Sequence, residues 1–191
     1  MSQFSGMTWL NPPATATETA QGLAVTTAAN TDFWRETHYG FTRHSGHALL
    51  QHVTGDFSAE VTVRGKYEAL YDQAGLMFLL DDQHWIKAGI EVTDGRAVFS
   101  TVVTNGRSDW ATMPLPFAPS PVRLRLTRHD SAIRVQVADP AGGWIMARLA
   151  YMPLRDPAQV GPMACSPERG GFTAQFSDYL CGPSIPRALH E

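Results

Sequence analysis

The chain is poor in cysteine, with two in 191 residues, Cys165 and Cys181. A pair cannot make the framework of bridges that holds a small secreted scaffold, and free thiols are the expectation. It also lacks a long apolar run: Ala74 to Leu80 is among the longest, far too short to span a bilayer. The opening MSQFSGMTWLNPPA has no basic stretch followed by an apolar one and no small-residue cleavage pattern, unlike a secretory leader. The expectation is a cytoplasmic protein that does not engage membranes. Charge of one sign is missing too. A formal charge of −3 gives no electrostatic footprint for nucleic acid. Arg123, Arg125, Arg128, Arg134 and Arg148 gather in the later half, and strand alternation assigns them to a solvated outer face. No helical stripe runs beyond about two turns.

What is present is a period of two. Phe57, Ala59, Val61 and Val63 alternate with Ser58, Glu60, Thr62 and Arg64, the pattern of a half-buried strand. Val122, Leu124 and Leu126 alternate with Arg123, Arg125 and Thr127, and Ile133, Val135 and Val137 repeat the pattern after a turn at 129–131. Asp94-Gly95 sits between two β-rich runs, 85–92 and 97–104, the strongest short-range hairpin signal. Lys66 to Asp72 reads as one helical turn or a loop, and Pro12-Pro13, 114–121, 153–157 and the tail after Gly182 read as loops. About a dozen short strands at this spacing predict an all-β fold, two packed antiparallel sheets in one domain spanning 1–191. Its ends, 1–6 and 183–191, read as irregular.

A two-residue turn at Asp94-Gly95 sets a register. Thr93 then pairs with Arg96, and Ile90, Ala88 and Ile86 face Phe99, Thr101 and Val103 on the core side. The opposite side presents Trp85, Lys87, Gly89 and Glu91, with Asp72 or Gln73 beside Glu91, depending on the length of the turn at 81–84. Ser108 and Asp109 border this face as loop residues. A carboxylate, an ammonium, an amide and indole rings on one concave sheet suit a ligand rich in hydroxyls. Aromatic planes stack on apolar sugar faces, and charged groups make directional hydrogen bonds. Gly89 offers room for an approach to the backbone.

A glycosidase needs a carboxyl pair about 5 Å apart if retaining and wider if inverting. Glu91 with Asp72 or Asp109 is the candidate pair, but Lys87 stands where a second acid on the strand would be expected. The histidines His38, His44, His47 and His52 crowd one segment with no cysteine beside them, so surface or hydrogen-bonded roles are expected and no metal. Cys165 reads as a buried thiol, Ser166 is not in a nucleophile elbow, and Gly170-Gly171 precedes a strand and not a phosphate-binding helix. The aromatic block 31–35 could line the site with a ring, but core packing is its default reading. No cofactor motif is present.

The segments TDFWRETHYGF (31–41), GDFSAEVTVRGKYEALYDQAGLMF (55–78), WIKAGIE (85–91), VVTNGRSDW (102–110) and GPMACSPERGGFTAQFSDY (161–179) resemble the regulation-of-enolase family. That is a family of domains of unknown function within the concanavalin A-like lectin/glucanase superfamily. The resemblance runs over nearly the whole chain and implies a jelly-roll sandwich. The superfamily holds sugar binders and glycosidases, and the matching site positions are Tyr71, Asp72, Gln73, Trp85, Lys87, Glu91, Ser108, Asp109 and Trp110. The leading expectation is a domain binding a carbohydrate or sugar derivative. In it Glu91 and Asp72 accept from hydroxyls, Lys87 holds an oxygen, and Trp85 or Trp110 stacks. The alternatives are a glycoside-active enzyme on the same face and a regulatory protein that binds a metabolic enzyme or itself. The oligomeric state is left open.

Overall fold

Alternation becomes two layers. The computed structural model describes residues 3–189, and among these there are sixteen strands and no helix, so none long and apolar enough to cross a membrane. One antiparallel sheet runs in the order β1 (Thr8–Leu10), β6 (His47–Val53), β15 (Ala158–Cys165), β8 (Gln73–Asp81), β9 (His84–Thr93), β10 (Arg96–Asn105) and β11 (Arg107–Met113). The other runs β14 (Trp144–Tyr151), β13 (Ala132–Ala138), β12 (Val122–His129), β7 (Phe57–Gly65), β16 (Thr173–Gly182), β3 (Gly22–Thr26) and β2 (Thr15–Thr19). A separate two-stranded hairpin pairs β4 (Phe33–Arg35) with β5 (Thr42–His44).

The core lies between the sheets. Val61, Val63, Leu124, Leu126, Val135 and Val137 of one layer meet Phe78, Ile86, Ile90 and Phe99 of the other, all buried. Burying side chains of this size stabilises by roughly 1.5–3 kcal/mol each. The β9–β10 hairpin has the expected register: Thr93 opposes Arg96, Ile90 opposes Phe99, Ala88 opposes Thr101 and Ile86 opposes Val103. Asp94 and Gly95 both take positive φ, as a tight turn of this kind requires. Residues 66–72 form a loop.

Two expectations change. The arginines are not all solvated: Arg128 is 1% exposed and donates to Asp156, and Arg134 is 4% exposed and donates to carbonyls of the C-terminal tail. Gly89 is not a ligand gap either. It lies directly opposite Gly75, and a Cβ there would run into the Ala74 carbonyl of the neighbouring strand. The ends, 3–6 and 183–189, hold no strand, although Ile185 donates its amide to Ser58 and so ties the tail across the second sheet. Residues 1, 2, 190 and 191, where irregular ends were also expected, lie outside the described residues.

The first sheet has a second, smaller core on its outer face. The β4–β5 hairpin drops Phe33 and Trp34 onto Met77, Leu79, Trp85, Val102, Met163 and Cys165. That cover occupies part of the face, and an open cleft lies beside it.

Candidate functional site

The cleft has a volume of about 130 Å³ and is built from three parts of the chain. Its floor is the outer face of β8, β9 and β10, with Gln73, Lys87, Glu91 and Val102. One wall is the covering hairpin, which supplies Asp32, Trp34, Tyr39, Phe41 and Arg43. The other is made by Tyr71, by Trp110 of β11, and by Pro167 and Glu168.

The floor is charged and almost dry. Lys87, 3% exposed, donates to Asp32 at 2.8 Å, while the same Asp32 oxygen accepts the Phe33 amide at 2.8 Å. Burial works against the Lys87 ammonium, but Asp32, with Cys165 and Glu91 nearby, outweighs it and holds the pKa above the ordinary lysine value. Glu91 is also buried, and burial pushes its carboxyl above the ordinary range despite Lys87 and hydrogen bonds from Ser100 and Trp110. The physical reason is allocation. Lys87 is committed to Asp32, and a carboxylate without a paired cation in a low dielectric favours its neutral form.

The Glu91 oxygens are nonetheless positioned. Trp110 Nε1–H is shared between Glu91 Oε2 at 3.0 Å and Ser100 Oγ at 2.9 Å. Gln73 opposes Glu91 in the β8–β9 pairing and donates to Oε1 at 3.4 Å and to the Tyr71 carbonyl at 3.2 Å. Above the floor, Tyr39 and Tyr71 join hydroxyls at 3.0 Å across the mouth. That bond, then burial, pushes the Tyr71 phenol up to about 12. Tyr71 has φ +63°, a left-handed conformation costly for a bulky residue, and its amide is held by the Val92 carbonyl. Tyr71 stands edge-on to Trp110, and Tyr39 stacks on Phe41 with 5.5 Å between ring centres.

Five expected residues meet here: Tyr71, Gln73, Lys87, Glu91 and Trp110. Four do not. Trp85 shares their face but is 0% exposed under the hairpin, against Phe33, so it cannot stack on a ligand. Asp72 precedes β8 and faces away from Glu91. Its buried carboxylate accepts Ser166 Oγ at 2.6 Å, Arg169 Nη2 at 2.6 Å and the amides of Glu68 and Ala69. Burial would raise the Asp72 pKa, but these donors together hold it below the ordinary range. Ser108 and Asp109 are not loop residues but belong to β11, and alternation separates Asp109 from Trp110. Ser108 is buried against Thr104 and accepts the Arg35 amide at 2.9 Å, anchoring the hairpin, while Asp109 is exposed and pairs with Arg148. The carboxyl pairs Glu91–Asp72 and Glu91–Asp109 therefore do not meet across the cleft.

Tyr39, Phe41, Arg43, Pro167 and Glu168 were missed, while Asp32 and Trp34 fall in the 31–35 block whose default was core packing. The aromatic density of TDFWRETHYGF was the visible signal for Tyr39 and Phe41. Among the histidines, His47 has both ring nitrogens engaged, by the Asn11 carbonyl and the Ala28 amide. No three metal-binding side chains converge among the described residues. Both cysteines are free, and burial pushes the Cys165 thiol up.

Two facing antiparallel sheets with a cleft on an outer face define an antiparallel β-sandwich. The chain belongs to the regulation-of-enolase family: its residues 9–184 match the family described as "Protein of unknown function (DUF1349)". It is 46% identical over 190 residues to Regulation of enolase protein 1 from Saccharomyces cerevisiae, covering 100% of this chain and 96% of that one. A crystal structure of a functionally unknown protein from Saccharomyces cerevisiae superposes with a TM-score of 0.92 at 46% identity, over 96% of this chain and 99% of that one. The GH43 BlXynB protein from Bacillus licheniformis superposes at TM-score 0.67 and 14% identity, over 95% of this chain but 38% of that one, a likeness of fold alone.

Proposed function

We propose that the cleft binds a carbohydrate or sugar derivative. The observation that carries this reading is one preformed concavity in which aromatic rings stand over a polar floor. Trp110, Tyr71, Tyr39 and Phe41 supply the rings, and Glu91, Lys87 and Gln73 supply the buried hydrogen-bonding groups. A pyranose has apolar faces for the rings and hydroxyls for the floor. Glu91 accepts hydroxyl hydrogen bonds when ionised and donates when protonated. A GH43 name among the structural neighbours agrees with this reading without carrying it. A cytoplasmic location goes with it, supported by the two free thiols.

The test is a thermal-shift screen of the protein and its Glu91→Gln variant against mono- and oligosaccharides, sugar acids and sugar phosphates. A ligand at a hundred times its Kd stabilises by about 2.7 kcal/mol. The expected result is a stabilising hit that weakens in the variant. Silence across the panel overturns the reading.

A second reading, docking of a protein partner, has one observation in its favour. Edge strand β14 exposes Met146, Leu149 and Tyr151, at 43%, 48% and 64%. Unpaired edges with apolar side chains invite association. A concentration-dependent mass in solution that disappears in Leu149→Lys supports it, and a monomer at all concentrations with no captured partner counts against it.

A further inference from the structure

A second cavity lies on the opposite layer of the sandwich, where β12, β13 and β14 meet the C-terminal tail. It has a volume of about 740 Å³ between Arg125, Arg134, Gln136 and Trp144 on the sheet and Ile185 and Leu189 on the tail. Its hydrogen-bonding chemistry is one-sided. Among the described residues the carboxylate that pairs with the arginines of this face is Glu60, which meets Arg123 at 2.7 Å and Arg125 at 3.4 Å. Arg134 has no carboxylate partner among the described residues, although it is 4% exposed. Two of its N–H groups reach the Ala188 and Pro186 carbonyls at 2.8 Å each.

Donors are left over. Arg134 Nε is buried with no hydrogen-bond partner among the described residues. A guanidinium carries more N–H groups than Arg134 has acceptors, and an unpaired buried donor is costly. Gln136 is 8% exposed, and its side-chain oxygen accepts twice from Arg125, at 3.1 and 3.0 Å. That pairing fixes the amide orientation and leaves the Gln136 NH₂ without an acceptor among the described residues. The acceptors that face these donors are engaged: the Gln136 oxygen by Arg125, and the Ala188 and Pro186 carbonyls by Arg134. Trp144 backs the site, with the Arg125 guanidinium 4.0 Å above its ring.

We propose that this cavity is a binding site for a small molecule carrying a phosphate or carboxylate group, held by Arg134 and the Gln136 amide. An oxyanion supplies the acceptors the wall lacks, and it offsets a buried positive charge that now meets only carbonyl dipoles. Ile185, Leu189 and the edge of Trp144 give its carbon body an apolar surface. The site is separate from the cleft and does not depend on what the cleft binds.

The test follows indole and arginine Nε–H resonances by NMR during titration with inorganic phosphate and, separately, acetate, at constant ionic strength set with sodium chloride. A saturable shift at Arg134 Nε–H and the Trp144 indole is expected with at least one anion, while the Trp110 indole in the cleft stays still. The stronger anion identifies the headgroup. Gln136→Glu keeps the oxygen that Arg125 needs, and therefore the fold, but replaces the donor with a negative charge. It is expected to weaken binding by roughly tenfold or more, since charge-assisted hydrogen bonds are among the stronger ones. Arg134→Lys, which keeps the charge and loses the fork, is expected to weaken it less. Absence of a saturable shift with either anion overturns the proposal, and so does a Gln136→Glu variant that binds as the parent does.

Discussion

The indole N–H of Trp110 lies 3.0 Å from Glu91 Oε2, so a half-exposed ring at the rim and a buried acid on the floor form one hydrogen-bonded unit. A ligand that stacks on Trp110 must meet Glu91. The two ends of the cleft's chemistry are fixed relative to each other before anything binds.

Glu91 carries a stability signature. Its folded pKa is raised by burial above the ordinary value of 4.5, so the folded state holds its proton more tightly than the unfolded state. Stability from this group is full below pH 4.5 and declines as pH rises through the folded pKa. Glu91→Gln, which does not titrate, should therefore gain on the parent in denaturant midpoint as pH rises from 4 to 8. A constant difference across that range would mean Glu91 is not desolvated.

Asp32 and Lys87 form a buried pair that is easily unbalanced. Asp32→Asn leaves the ammonium 3% exposed without its partner and should cost about 3 kcal/mol in chemical denaturation. Adding Lys87→Met should recover much of that loss, because an apolar chain of similar length needs no partner. Equal losses in the single and double variants would contradict the pairing.

The tyrosine bridge has a spectroscopic readout. In Tyr39→Phe, Tyr71 loses the first cause of its elevation and should titrate below about 12, followed at the phenolate absorbance. Because both side chains are partly solvated, the cost in stability should stay under about 1 kcal/mol. An unmoved Tyr71 titration would rule out the bridge in solution.

Asp72 behaves in the opposite sense to Glu91. Arg169, Ser166 and two amides hold it below its ordinary 3.8 against the effect of burial, so its contribution is present above pH 3.8 and is lost as pH falls through the folded pKa. Arg169→Met should cost about 3 kcal/mol at neutral pH by stranding a fully buried carboxylate. The variant should then lose less than the parent on further acidification. A neutral-pH cost near zero would show that Asp72 does not rely on Arg169.

The legible part of the site was the part decided by local rules. Asp94-Gly95 set a two-residue turn, and a turn of known length sets which side chains share a face, so Lys87 and Glu91 were placed together correctly. The same logic left Asp72 or Gln73 open, because the turn at 81–84 contains an irregularity between Leu79 and Asp81 that spacing alone does not reveal. Period two also placed Trp85 on that face, but it cannot say that a hairpin fifty residues away lies on top of it. Asp32 reaches Lys87 across 55 positions, and such contacts are decided by packing. Ser108 and Asp109 were read as loop residues because β11 is polar, and a strand read as a loop loses its alternation. Arg134 was assigned to solvent for the reason that misleads most often: alternation separates the two faces of a sheet, but does not say what covers the outer one.

The central claim is that the cleft is a saccharide site organised by Trp110 and Glu91. Its most direct test follows the Trp110 indole N–H resonance while each hit from the saccharide screen is titrated into the protein. The account predicts a saturable shift of that resonance, with the Trp144 indole unmoved and the effect lost in Glu91→Gln. Saccharides that leave the Trp110 resonance in place, or shift it equally without the Glu91 carboxyl, would contradict it.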